Sequence, residues 1–118
     1  HASPSSVLYT SSLHDALPIW SCRLYAEEMG YTVIGVYSDP NKSATSIANR
    51  PELQRLLLNA ENGRFDVLVT EGSDRLSRSI KDTETIYEQL ADHGVKIMTI
   101  FEGEASKMQV AFKSLRSK

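Results

Sequence analysis

The stretch Phe65-Asp66-Val67-Leu68-Val69-Thr70-Glu71-Gly72-Ser73-Asp74-Arg75-Leu76-Ser77-Arg78 changes character half-way along. Phe65 to Val69 is a short, nearly continuous apolar run, which reads as a strand covered on both faces. Thr70 to Asp74 is a polar turn. From about Leu76 to His93 the spacing predicts a helix with Ile80, Ile86 and Leu90 on its inner stripe. A doubly covered strand that runs through a turn into a helix is the building unit of a parallel α/β sheet.

The same unit recurs on either side. Upstream, Tyr25-Ala26-Glu27-Glu28-Met29 reads as a helix end with Gly30 just beyond its C-cap, and a strand runs through Tyr31, Val33, Ile34, Val36 and Tyr37. The polar stretch Ser38 to Asn49, with Pro40 and Asn41, is a loop long enough to carry function. Pro51 suits the first turn of a helix whose Leu53, Leu56, Leu57 and Ala60 form a buried face, and Gly63 ends it. Downstream, Gly94 stops the long helix and Val95 to Phe101 is the next strand. The expected fold is an open, mostly parallel α/β sheet with flanking helices, whose ligands bind beyond the strand carboxyl ends, in the loops after Tyr37, Val69 and Phe101.

Residues 1–20 are different: rich in serine, with Pro4 and Pro18, they show neither alternation nor helical period. The expected organisation is an unpatterned segment over 1–21 that does not pack as an integral part of the sheet, followed by a folded unit over 22–118.

Composition narrows the function classes. The 118 residues, 41% hydrophobic and 24% charged, suit one compact domain. A formal charge of -2 and a pI near 5.9 give no basic excess, so affinity for nucleic acid must come from a local cluster or from a partner region. Cys22, the single cysteine, allows neither an intrachain disulfide nor a cysteine-rich zinc site, and reads as a core residue. No apolar run approaches the roughly 18 residues that span a bilayer, and no basic-then-apolar leader is present, so the expected location is the cytoplasm, without membrane contact. His1, His14 and His93 are scattered without metal-ligand spacing, and no phosphate-cradling glycine loop occurs, so neither a metal nor a nucleotide cofactor is expected.

The chemistry-bearing residues gather at the strand-to-helix turns. Arg75 and Arg78, three apart, share one helical face near a helix N-terminus, where cations oppose the helix dipole. A bound phosphate removes that conflict, because helix amides and guanidinium groups both favour it. The plain alternative is a pair of solvated arginines behind Asp74 as an ordinary N-cap. Arg50, at the close of the long loop, lies on the same expected edge and can add a third positive group.

The run Tyr37-Ser38-Asp39-Pro40-Asn41-Lys42-Ser43-Ala44, then Arg50-Pro51 and Leu53-Gln54-Arg55-Leu56-Leu57, then Phe65 to Val69 and Asp74-Arg75-Leu76-Ser77-Arg78, resembles the catalytic domain of the serine-type site-specific DNA recombinases, the resolvase and invertase family. The likeness covers about residues 22–118 and is nearest to the larger members. It implies a resolvase-like fold, and it matches Arg50, Arg75 and Arg78 to the arginines around the scissile phosphate, Asp74 to the aspartate before them, and Asp39 and Ser43 to the family's supporting loop. It implies two-step phosphoryl transfer through a phosphoserine link, without metal or other cofactor. It also implies homodimers that assemble into tetramers through a long helix beginning near Ala105 and continuing past Lys118, with DNA held by a separate domain beyond it.

The sequence departs from the family at three places. Ala44 and Asn41 stand where glycines are usual. More seriously, the family opens on a strand bearing Y-x-R-x-S, whose serine attacks DNA. Here Tyr9-Thr10-Ser11-Ser12-Leu13 supplies the tyrosine but neither the arginine nor the serine in place. Ser5 and Ser6 leave no room for a preceding strand and Ser12 stands too close to the usual first helix, so the nucleophile is unknown. The run Ser11 to Ile19 also resembles the translation of a sequencing adapter, which makes the first strand missing and the first twenty or so residues foreign. The readings from this sequence are therefore a recombinase domain inactive for want of its serine, and, in another class, a non-catalytic remnant or phosphate-binding interaction module.

Overall fold

Strands and helices alternate along the chain in the computed structural model, which describes residues 4–10, 16–39, 50–72, 76, 80–101 and 103–105. They are β1 (Ser5–Thr10), α1 (Ala16–Glu28), β2 (Thr32–Ser38), α2 (Pro51–Glu61), β3 (Val67–Thr70), α3 (Ile80–Asp92), β4 (Lys96–Thr99) and β5 (Gly103–Ala105). The sheet order is β2-β1-β3-β4-β5; the first four strands run parallel, and β5 returns antiparallel to β4. The expected open α/β sheet is present.

The centre of that sheet overturns one expectation. Residues 5–10 form β1, paired on one side with β2 from Ser5↔Thr32 to Thr10↔Ser38 and on the other with β3 from Ser6↔Val67 to Leu8↔Val69. The first strand is not missing, residues 5–10 do not stand outside the sheet, and Cys22 lies within α1. A central parallel strand is covered on both faces and carries no alternation, so the absence of period in Ser5-Ser6-Val7-Leu8-Tyr9-Thr10 is compatible with the most buried position in the sheet. Even Ser6 is fully buried, its hydroxyl donating to the Thr32 carbonyl at 3.1 Å. A first helix also fits after β1, with Pro18 in its opening turn, where a missing N–H is tolerated.

Alternate β1 residues serve two separate cores. Val7 and Tyr9 pack with Leu68 and Ile97 under α2 and α3, which contribute Leu53, Leu56, Ala60, Ile86, Tyr87 and Leu90. Leu8 joins Val67, Val69 and Met98 beneath α1, whose small residues Cys22 and Ala26, four apart, let that helix lie close to the strands. The buried face of α3 is Thr83, Ile86, Tyr87 and Leu90; Ile80, expected inside, stands in the first turn and is 48% exposed.

Three helix ends share one device. After α1, α2 and α3, Gly30, Gly63 and Gly94 take positive φ of 81°, 70° and 75°. In each, the glycine N–H and the next N–H fold back on the last-turn carbonyls, as in Gly63→Ala60 and Arg64→Asn59, both 3.0 Å. At the far edge the chain does not leave the sheet after Phe101 as an open loop. It turns tightly through Gly103, φ 74°, into β5, so the expected third ligand loop is a hairpin.

Candidate active site

β1 and β3 are paired only as far as Leu8↔Val69, whereas β1 stays with β2 to Thr10 and β3 with β4 to Thr70. The connection from β1 runs to β2 on one side and that from β3 runs to β4 on the other, so this gap is the topological switch point where open α/β sheets hold their ligands. The Thr70 hydroxyl spans its base, donating to the Tyr9 carbonyl at 3.0 Å.

Asp39, just past β2, is 3% exposed and closes the N-terminus of α2 from outside the helix. Its Oδ1 accepts from the Glu52 amide at 3.0 Å and its Oδ2 from the Leu53 amide at 2.8 Å. The residue at the N-cap position, Arg50, makes no side-chain capping bond of its own. A carboxylate on the first free amides of a helix meets both orphan donors and the positive end of the dipole.

The same Asp39 Oδ2 accepts the Tyr9 hydroxyl at 2.9 Å. The Tyr9 oxygen in turn accepts from Arg50 Nε at 3.2 Å and Nη2 at 3.0 Å. Arg50 is 0% exposed, yet among the described residues its Nη1 has no hydrogen-bond partner. Burial holds the Tyr9 phenol above its usual range, opposed by the Arg50 contact and reinforced by Asp39, so it stays protonated and can donate. A buried guanidinium with a spare donor, beside a helix N-terminus and strand carboxyl ends, is chemically disposed to take an oxyanion.

Of the expected site residues, Asp39 and Arg50 are thus brought together, joined through Tyr9. Ser43, Asp74, Arg75 and Arg78 lie outside the described residues. Leu76, between the last two arginines, is fully buried in the cluster that holds Tyr9 and Leu53. Tyr9 is a site residue that sequence reasoning does not reach: it matches the tyrosine of the family motif, but the segment around it carries no period. Arg55 serves the scaffold instead, pairing with Glu52 through bonds of 2.8 and 3.1 Å while its Cζ lies 4.4 Å from the Tyr37 ring centroid. A groove of about 510 Å³ lined by Gln54, Leu57, Leu58, Glu61, Gln89 and His93 shares no lining residue with this site. No helix among the described residues is long and apolar enough to cross a membrane.

The family model of the resolvase N-terminal domain matches residues 17–115. This chain belongs to the resolvase family. The N-terminal catalytic domain of TP901-1 integrase superposes on this resolvase domain with a TM-score of 0.77 at 28% identity, covering 96% of this chain and 91% of that one. The C-terminal catalytic domain of ISC1926 TnpA, an IS607-like serine recombinase, gives 0.71 at 27% identity over 96% and 78%. A resolvase family site-specific recombinase from Streptococcus pneumoniae shares the fold at 0.73, with 19% identity over 98% and 86%. No curated protein matches the chain. The domain is a serine recombinase catalytic domain, of the kind that serves site-specific recombination.

Proposed function

We propose that this resolvase-family domain is built to act on the phosphodiester backbone of DNA, in the cytoplasm, by arginine-assisted phosphoryl transfer, and that the chain as it stands does not cleave. The observation that carries the reading is the buried Arg50 guanidinium held on Tyr9 of β1, with its Nη1 unpartnered among the described residues. Arg75 and Arg78 are the further phosphate ligands and Asp74 the acid that orients them, with Ser43 on the supporting loop. The burial of Leu76 in the Tyr9 cluster supports their presence on this side.

In the transition state of phosphoryl transfer, negative charge grows on the nonbridging oxygens, and guanidinium groups fixed in advance stabilise it more than the ground state. That stabilisation needs an attacking group. Counted from Tyr9, the arginine and serine of Y-x-R-x-S fall on Ser11 and Leu13, and a leucine cannot attack phosphorus. This same pair of positions favours the second reading, a phosphate-binding module without catalysis. Dimers and tetramers, the long helix and a separate DNA-binding domain belong to the active form of the reading, and the residues ahead of the family match are its altered part.

The test writes Y-x-R-x-S back with Ser11→Arg and Leu13→Ser, in a chain carrying the family's long helix and a DNA-binding domain, and runs labelled site DNA on denaturing gels. A covalent protein–DNA band is expected, weakened at least about a hundredfold by Arg75→Ala or Arg78→Ala. A band from the unrestored chain refutes the missing nucleophile. Undiminished cleavage with both arginines replaced refutes their roles.

A further inference from the structure

Arg50 is an unusual buried cation in its choice of partner. Among the described residues no ion pair within 4.0 Å involves it, although Asp39 is buried beside it; a neutral phenol stands between the two. A direct carboxylate contact would cancel the charge that an incoming anion needs and would occupy the guanidinium fork. With Tyr9 interposed, Asp39 directs its negative charge to the α2 amides and the Tyr9 hydroxyl.

The geometry of that hydroxyl also sets the plane of the arginine. Its proton is committed to Asp39 Oδ2, so its lone pairs are directed elsewhere, and Arg50 Nε and Nη2 both donate to them. Nε and one Nη form a lateral edge of a guanidinium, and using that edge leaves the other Nη with both of its hydrogens. Here that atom is Nη1, which is buried and, among the described residues, unpartnered.

We infer that Tyr9 is a positioning residue for the anion site: its hydroxyl, aimed by Asp39, clamps the lateral edge of Arg50 so that Nη1 is presented to a phosphate oxygen while the arginine keeps its net charge. The inference rests on the phosphate reading of Arg50 given above. Tyr9 touches no reacting atom in this scheme and acts through Arg50 alone.

The test follows the Arg50 Nε–H resonance by ¹⁵N NMR in the full chain, assigned by its loss in Arg50→Lys, while dimethyl phosphate is added as a phosphodiester without bases. The native chain should show a slowly exchanging Arg50 Nε–H that shifts on titration. Tyr9→Phe should expose Nε–H to rapid solvent exchange and weaken dimethyl phosphate binding about tenfold, the effect of one hydrogen bond to a charged group. Leu8→Ala, on the opposite face of the same strand, should lower stability yet leave both signals in place. A Tyr9→Phe chain that keeps its Nε–H protection, or that binds dimethyl phosphate as well as the native chain does, overturns the positioning role. So does a Leu8→Ala chain that loses the signals equally. If the native Nε–H is protected and lost in Tyr9→Phe but never responds to dimethyl phosphate, the clamp stands and the phosphate reading fails.

Discussion

Asp39→Ala removes a side chain that holds three elements at once. Its carboxylate takes the Glu52 and Leu53 amides and the Tyr9 hydroxyl, at 3.0, 2.8 and 2.9 Å, at 3% exposure. Losing a helix cap costs about 1 kcal/mol, and a hydrogen bond to a charged acceptor about 1.5 to 3 kcal/mol. The bonds share one acceptor group and are not additive, and water enters part of the vacated space, so a loss of about 3 kcal/mol is expected. For a domain of this length that corresponds to a fall in Tm of about 12 °C. Asp39→Asn keeps an acceptor oxygen but loses the charge, and should fall about half as far. Thermal unfolding followed by circular dichroism measures both, with urea titration to check that the m-value is unchanged. If Asp39→Ala melts within about 2 °C of the native chain, the carboxylate does not hold α2, and the account of Arg50 through Tyr9 loses its anchor.

Two further outcomes are expected. The Cys22 thiol, pushed up to about 12 by burial and by the Glu71 charge, should resist a thiol reagent at pH 8 in the folded chain and react on unfolding in urea, as a colorimetric thiol assay would show. Glu52 is held below its ordinary range chiefly by its hydrogen bonds from Arg55, so the pair helps stability above the unfolded carboxylate value and loses that help as pH falls through the lowered folded value. Because both side chains are partly exposed, Glu52→Gln should cost less than about 1 kcal/mol at pH 7 and nothing measurable once pH is below the folded value, by urea unfolding at each pH.

The strand–turn–helix units around Val67 and Val33 are legible in the sequence because each joins a pattern of one period to another and closes on a glycine that takes positive φ. β1 is not legible, because serine and threonine at its ends hide a doubly buried strand and the period-2 signal is absent by the nature of a parallel sheet. β5 escapes for a different reason: three residues give too short a window for any period, and nothing local marks Gly103 as the turn before it. Asp39 and Arg50 emerge through the family likeness, but their mechanical coupling does not, since the connecting hydroxyl belongs to residue 9, 30 positions upstream of Asp39. Long-range hydrogen bonds of that kind leave no trace in local spacing.

The chain between Asp39 and Arg50 starts and finishes at one point in space, because Asp39 is bonded to the amides that immediately follow Arg50-Pro51. Its ends are therefore stapled by the fold itself, whatever lies between. For a stretch closed in this way, doubling the number of intervening residues adds only about 0.6 kcal/mol of closure entropy. The hold of Asp39 on α2 therefore does not depend on a set number of residues between positions 39 and 50, and a change of length there should cost the helix little.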